Sequence, residues 1–264
     1  MYRIIEWIGG LLIRFTGYLG DLTLLTSETL RSIFAGRIRW ALVLRQLAEV
    51  GYRSQLVVII TGAFTGAVFT AQTFFQFAAL NMESAVGPVV SVSMCRELGP
   101  VLTGLMIAGR VGAAMSAELG TMKVTQQIDA LRALAVNPTD YLVVPRAVAM
   151  LISMPLLVAE CIFFGILAAF FVATRVLDVN AAYYISNMYR FTDGTDLIMG
   201  LVKGFAFGLL IVIISCREGL ETRDGAVGVG RATTSAVVLG SLAVLIINFF
   251  LTMALNIIFP AGTS

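Results

Sequence analysis

The sequence contains no histidine and has few charged residues. Only 13% of its 264 residues are charged, while 58% are hydrophobic and the mean hydropathy is +0.91. Because a soluble domain is about one quarter charged, this composition predicts an integral membrane protein. The lack of histidine excludes histidine-based catalysis, histidine proton relays and most zinc sites. We also expect no catalytic residue, no metal site and no cofactor bound by this chain.

Cysteine is also scarce, and the net charge is small. Cys95, Cys161 and Cys216 lie far apart, in or beside apolar segments, which favours small buried side chains over a disulfide framework. A net charge of +2 does not indicate nucleic acid as a partner. The glycine-rich loop at 216–234 lacks both the G-x-x-x-x-G-K-[ST] and the G-x-G-x-x-G patterns, so the chain is not expected to bind ATP itself.

Five apolar segments are long enough to cross a bilayer, which takes about 20 residues. These segments are residues 56–80, 98–117, 147–174, 197–216 and 232–259. The sequence thus predicts an all-α integral membrane protein, with a five-helix membrane domain over residues 54–264 and a helical segment over residues 1–53. Apolar residues recur at helical spacing around Trp7, which indicates an interfacial helix. The alternative is a short helix packed on the protein itself.

The placement of arginine predicts the orientation. Basic residues concentrate before the first span, in the connector between spans two and three, and in the loop after span four. The N-terminus is therefore expected in the cytoplasm and the C-terminus on the other side. On that other side, Gly87-Pro88 predicts a turn, and the AAYYISNMYRF stretch at 181–191 predicts a short interfacial helix.

Several charged residues fall in or beside the spans, where charge is costly and usually faces protein or water. A structural pair is the simplest interpretation of Arg110 and Glu160. Lys203 is expected to extend toward the interface. Arg96 and Glu97 either frame the mouth of a cavity that contacts a zwitterionic headgroup, or form an ordinary interfacial ion pair.

The connector is amphipathic. Residues 124–135 predict a short helix with Val124, Ile128, Leu131 and Ala135 on one face, and Asn137-Pro138 ends it. Because a helix of this length is marginal alone in water, we expect it to dock on the membrane surface or on a partner.

Residues 97–138, ELGPVLTGLMIAGRVGAAMSAELGTMKVTQQIDALRALAVNP, resemble the MlaE/YrbE permease family. The resemblance covers nearly the whole chain, including RQLAEVGYRSQ at 45–55 and CREGLETRDGAVGVGRATT at 216–234. It implies a non-catalytic permease subunit of an ABC transporter in the bacterial inner membrane. Such permeases move glycerophospholipid between that membrane and periplasmic carriers and maintain outer-membrane lipid asymmetry. The implied assembly is a homodimer with MlaF-like ATPase subunits, which alone bind ATP and magnesium, an MlaB-like STAS-domain protein and an MlaD-like hexamer of MCE domains.

The resemblance also implies roles for residues. The connector helix corresponds to the coupling helix of the family, which makes five polar residues candidate contacts to the ATPase: Glu118, Lys123, Gln127, Asp129 and Arg132. Arg96 and Glu97 correspond to a polar position beside the lipid cavity. Three aromatic residues of span one are expected to line that cavity: Phe69, Phe74 and Phe77. The connector departs from ordinary import permeases, since it lacks their E-A-A-x-x-x-G motif.

Other functions fit the sequence less well or stay open. A secondary transporter would require an inverted repeat and several intramembrane ionisable residues, and a lipid-modifying enzyme would require clustered carboxylates. A passive membrane scaffold for an MCE carrier stays open because binding and transport use the same surfaces. A related permease that imports sterol or another lipid is the remaining alternative.

Overall fold

The computed structural model describes residues 2–36, 38–80 and 82–259, and within these ranges the chain is helical with no β-strand. The α-helices are α1 (Tyr2–Phe34), α2 (Trp40–Val50), α3 (Gln55–Ala78), α4 (Val86–Ser93), α5 (Gly99–Ile107), α6 (Ala113–Val124), α7 (Gln127–Ala133), α8 (Val144–Arg175), α9 (Ala181–Phe191), α10 (Gly194–Leu220) and α11 (Gly225–Ile258). Three π-helical stretches adjoin them: Met94–Leu98, Ala108–Gly112 and Thr139–Val143.

Among the described residues, five helical stretches are long and apolar enough to cross a membrane. They are Trp40–Ala78, Glu83–Val124, Thr139–Arg175, Gly194–Leu220 and Gly225–Ile258. The all-α, five-span class is confirmed. Each stretch is longer than the predicted span, because an apolar run marks only the part that crosses hydrocarbon, whereas the helix continues into its polar flanks.

The N-terminal segment is helical, as predicted. The interfacial interpretation relied on Ile4, Ile5, Trp7, Ile8, Leu11 and Leu12. Of these side chains, that of Leu12 is described and is 56% exposed, and the others lie outside the described residues. The later part of α1 packs against the chain: Asn137 Nδ2 donates to Glu28 Oε1 at 3.0 Å, and Arg217 pairs with Asp21 at 2.9 Å.

We use two names for the ends of the molecule. The connector end carries α2, α7 and the turn between α10 and α11. The opposite end carries α9, the turn between α3 and α4, and the C-terminus of α11.

At the opposite end, one prediction is confirmed and one is wrong. The predicted short helix is present as α9, and the Asn180 side chain accepts from the backbone N–H of Ala182 at 2.9 Å to cap it. Its position at a membrane interface stays a prediction. Burial raises the pKa of the Tyr184 hydroxyl on this helix to about 12. Gly87-Pro88 does not form a turn but lies buried in the first turn of α4, where the missing N–H of proline has no helical partner to lose.

The backbones of α3 and α8 approach each other closely. A Cβ built on Gly62 would lie 2.6 Å from the carbonyl oxygen of Cys161, and one built on Gly66 would overlap the backbone of Gly165. Small residues permit this approach in lipid, where packing rather than hydrophobicity holds helices together. The other small residues that stand out in the sequence are also buried within the chain: Gly104, Ala108, Gly112, Ser116, Gly204 and Gly208.

This contact predicts unequal effects for two glycine substitutions. We expect Gly66→Ala to destabilise the protein by about 1–3 kcal/mol, because its methyl group meets backbone that cannot rotate away. Gly109→Ala is the matched control, since nothing lies within 4 Å of a Cβ there. Thermal unfolding of the detergent-solubilised chain measures both variants. Equal melting temperatures would contradict the close α3–α8 contact.

Candidate functional site

The π-helical stretch Met94–Leu98 holds Arg96 and Glu97 within the second candidate membrane stretch, Glu83–Val124. Pro100 follows in the first turn of α5 and has no N–H, so the carbonyl of Arg96 lacks its usual α-helical donor. The Lys203 ammonium supplies a donor instead, at 2.8 Å. A charged donor from α10 therefore replaces the backbone hydrogen bond that the proline removes.

Lys203 does not extend to the interface. Its side chain is 1% exposed, and its Nζ donates to three acceptors at 2.8 Å: the Arg96 carbonyl, Glu97 Oε1 and Thr252 Oγ1. An ammonium has three donors, so all are satisfied. The predicted extension is wrong because a buried charge with a carboxylate and two further acceptors has no need of water.

One face of α11 completes the coordination of Glu97. Asn248 donates to Glu97 Oε2 at 2.9 Å, and the Thr252 hydroxyl donates to Glu97 Oε1 at 2.9 Å. One turn further, Asn256 Oδ1 accepts from Arg96 at 3.1 Å. These three residues were not predicted from the sequence, because they are polar but uncharged, and among the polar residues of the spans only charged ones were considered as candidates. The signal was the four-residue spacing of polar side chains, which places them on one helix face.

Arg96 and Glu97 do not pair with each other, so their interpretation as one interfacial ion pair is wrong. Neighbouring residues on a helix point in different directions. Arg96 pairs with the buried carboxylate of Asp196, which also accepts from the backbone N–H of Asp193 at 3.0 Å as part of the N-terminal capping box of α10. Sequence reasoning missed Asp196 because it lies just outside the predicted fourth span.

Together these residues form what we call the intramembrane network: Arg96, Glu97, Asp196, Lys203, Asn248, Thr252 and Asn256. Its two cations and two anions balance. The inner partners, Lys203 and Asp196, are 1% and 2% exposed, whereas the side chains of Arg96 and Glu97 are 21% and 38% exposed. The network thus leaves one cation and one anion, on consecutive residues, partly exposed, which suits recognition of a zwitterionic group.

The three phenylalanines of span one lie in a different cluster. Phe69, Phe74 and Phe77 are partly buried against Val86, Val90 and Met94. Their proposed role in lining a lipid cavity stays a prediction. A separate apolar groove of about 750 Å³ lies between α8 and α9, with Phe163 and Phe170 on one wall and Met188 and Tyr189 on the other.

The predicted Arg110–Glu160 pair is wrong. Arg110 donates to the carbonyl oxygen of Arg53 and, at 3.0 Å, to Ser54 Oγ. Gly62 packs against Cys161, so Glu160 lies about eight residues, or about 12 Å, deeper in the bundle than Ser54. In the described part of the chain Glu160 makes no hydrogen bond or ion pair.

The connector contains a helix, but a shorter one than predicted. Val124 ends α6, and α7 covers only Gln127–Ala133, because Gln126 adopts a left-handed conformation with φ 59° that interrupts the helix. Ala135, with φ 57°, follows its end. The predicted apolar face is correct in part, since Ile128 is buried in the main core and Leu131 packs against it. The helix is therefore docked on its own chain.

The polar residues of the connector remain accessible. Asp129 lies between Lys123, at 3.4 Å, and Arg132, at 3.3 Å, and Gln127 is exposed at the start of α7. Glu118 lies further back on α6 and pairs with the buried Arg146 at 2.7 Å. These residues share one end of the molecule, where an external protein has access to them.

Comparison with known proteins decides the family. The family described as Permease MlaE matches residues 43–254 of this chain. A probable ABC transporter permease protein of Rickettsia conorii is 42% identical over 252 residues, covering 96% of this chain and 97% of that protein. The chain belongs to the MlaE permease family.

Two further relatives extend the family beyond one bacterial group. A probable ABC transporter permease protein of Synechocystis sp. is 42% identical over 228 residues, covering 86% of this permease and 87% of that protein. The protein TRIGALACTOSYLDIACYLGLYCEROL 1, chloroplastic, of Arabidopsis thaliana is 35% identical over 229 residues, covering 87% of this permease and 65% of that protein. With its five spans, the chain is a multi-pass membrane permease of the ABC transporter type.

The network predicts strong coupling between Glu97 and Lys203 in this permease. We expect Glu97→Leu to destabilise the fold by about 3–5 kcal/mol, because it leaves the buried ammonium without its counter-charge. Adding Lys203→Met should recover much of that loss. The exposed pair Glu49–Arg53, at 2.8 Å, is the control, with an expected coupling of about 0.3–0.5 kcal/mol.

A double-mutant cycle, measured by denaturant unfolding in mixed micelles, gives both coupling energies. Similar values for the two pairs would show that Lys203 does not depend on Glu97.

Proposed function

We propose that this permease is the membrane subunit of an ATP-driven glycerophospholipid transporter. In this proposal it exchanges lipid between the inner membrane and periplasmic MCE-type carriers, and so maintains outer-membrane lipid asymmetry. The intramembrane network carries the proposal, because paired charges at this depth are expensive and mark substrate pathways. Family membership supports the transport role.

The surface of the network matches the chemistry of a phospholipid headgroup. The guanidinium of Arg96 has five N–H donors, and its bonds to Asp196 and Asn256 use only two of them. The remaining donors suit a phosphate, which arginine binds through two parallel hydrogen bonds. Glu97, the next residue in the chain, is partly exposed and suits an ammonium group. The name of the Arabidopsis relative contains that of a glycerolipid, trigalactosyldiacylglycerol, which agrees with a lipid substrate.

The apolar surface next to the network suits acyl chains or a second copy of the permease. Only 17% of the most apolar part of α11 is buried. Its exposed apolar residues include Leu242, Leu245, Ile246, Phe249, Phe250 and Met253. A homodimer formed through span one, span five or both would bring two networks to a shared cavity and cover much of this face. The acyl chains would then lie in the apolar part of that cavity.

The connector provides a route for energy from ATP. The exposed face of α7 is accessible to an MlaF-like ATPase, while buried Ile128 links the helix to the core. A push on α7 would therefore move the bundle. With the connector end in the cytoplasm, ATPase subunits and an MlaB-like STAS protein would bind there, and an MlaD-like hexamer would receive lipid at the opposite end.

The direct test is to purify the permease with its partners, measure lipid-stimulated ATPase activity and identify bound lipid by mass spectrometry. We expect Arg96→Lys to lower bound phospholipid about tenfold, because lysine keeps a charge for Asp196 but loses the planar fork. Arg190→Lys, on the exposed face of α9 at the same end, is the control.

Two results would contradict the proposal. The proposal loses its basis if neither an ATPase nor a phospholipid copurifies with the permease. Phospholipid binding without ATP-dependent transfer to the carrier would favour the scaffold alternative.

A charge reversal tests the coupling role of α7. We expect Asp129→Lys to reduce lipid transport and stimulated ATPase activity at least tenfold, since it places three cations together on the surface assigned to the ATPase. Assembly of the homodimer should be unaffected. Glu221→Lys is the matched control, because it is similarly exposed at the same end and pairs with one arginine at 3.6 Å. Normal transport by Asp129→Lys would refute the assignment.

A further inference from the structure

A second group of arginines surrounds two adjoining cavities at the connector end, apart from the intramembrane network. The larger cavity, of about 410 Å³, lies between α2 and α6 and is lined by Arg45, Arg53 and Arg110. The smaller, of about 260 Å³, is lined by Arg45 and Arg146. Arg45 belongs to both. We call the combined space the arginine cleft.

The carboxylates of the cleft are already paired. Glu49 pairs with Arg53 at 2.8 Å, and Glu118 pairs with Arg146 at 2.7 Å. Within each pair the two charges cancel. The remaining arginines of the cleft therefore have no acidic partner among these carboxylates.

Arg45 and Arg110 are those remaining arginines. Arg110 donates only to neutral oxygens, the Arg53 carbonyl and Ser54 Oγ. Arg45 makes no hydrogen bond or ion pair with any described residue. The cleft therefore holds two positive charges in excess, and both guanidiniums retain free donors.

The surroundings of the cleft place it at the edge of the membrane. Trp40 and Leu44, one turn apart on α2, are 61% and 65% exposed, and Tyr52 and Leu56 at the start of span one are 76% and 68% exposed. Tryptophan and tyrosine concentrate at headgroup level. The cleft thus opens where lipid phosphates lie, with apolar surface beside it for acyl chains.

We propose that the arginine cleft binds the phosphate of an anionic phospholipid from the leaflet at the connector end. Basic pockets between membrane helices are suited to anionic headgroups, and the guanidinium fork matches phosphate oxygens. This site differs from the intramembrane network in its position and in its excess positive charge. It does not depend on which lipid is transported. Its wall includes Glu118 on α6, the helix that leads to α7. A lipid bound in the cleft would therefore contact both the leaflet and the helix that precedes the connector.

Native mass spectrometry of the full chain in detergent tests the proposal, with phosphatidylglycerol and cardiolipin as probes and phosphatidylcholine as the neutral reference. We expect Arg45→Gln and Arg110→Gln each to weaken binding of the anionic lipids about fivefold, the effect of roughly 1 kcal/mol per arginine near a membrane surface. Arg45→Gln loses no contact within the described chain, so its fold should be intact. Arg223→Gln, 82% exposed at the same end, should bind like the unaltered protein.

The outcomes separate the possible occupants. Three results together support a lipid site. Binding of the anionic lipids falls in both cleft variants, it weakens as the salt concentration rises, and inorganic phosphate at equal concentration does not displace it. Equal displacement by inorganic phosphate would reassign the cleft to a soluble anion. Equal binding by Arg45→Gln, Arg110→Gln and Arg223→Gln, or no preference for anionic lipid, would overturn the proposal. Absence of any lipid binding would overturn it too and leave a protein partner as the occupant.

Discussion

The buried ammonium of Lys203 is the interaction on which the opposite end of this permease depends. It joins three helical stretches at one point, because its acceptors come from the π-helical stretch at 94–98 and from α11, while the lysine itself belongs to α10. In a low-dielectric interior, a charge held in this way strengthens every hydrogen bond around it, and an unmet donor would be costly. The arrangement therefore fixes the relative position of the three helices and presents Arg96 and Glu97 at the surface.

Irregular helix geometry is concentrated where charge enters the bundle. Arg96, Glu97 and Arg110 all lie in π-helical stretches, and such stretches often coincide with functional sites. At the first, Pro100 removes a backbone donor and Lys203 replaces it. Near the second, Arg110 reaches the backbone at the start of span one. Both sites of proposed lipid contact, the network and the arginine cleft, thus include residues of the same membrane stretch, Glu83–Val124, and α6 continues that stretch to the connector.

Hydropathy predicted the five spans well because an apolar run of this length has few other stable solutions. The helix α9 was also predictable, since its polar cap and aromatic side chains are local features. Local patterns were less reliable at breaks. Gly87-Pro88 suggested a turn but starts a helix, and the connector helix is shortened by the left-handed Gln126. Both outcomes depend on the tertiary contacts of the segment. The periodicity of apolar residues in the sequence does not describe those contacts.

By itself, the sequence determined the membrane class, the number of spans, the family resemblance and the presence of intramembrane charge. Those properties follow from composition and short-range spacing. Only the tertiary structure decided the partners of each charge: Arg96 with Asp196, Glu97 with Lys203, and Arg110 with the Arg53 carbonyl and the Ser54 hydroxyl. The reason is physical. The two members of each ion pair are about 100 residues apart in the chain. Which charges meet therefore depends on the depth and rotation of the helices. Both are determined by packing between glycine-lined helix faces and by the π-helical turns.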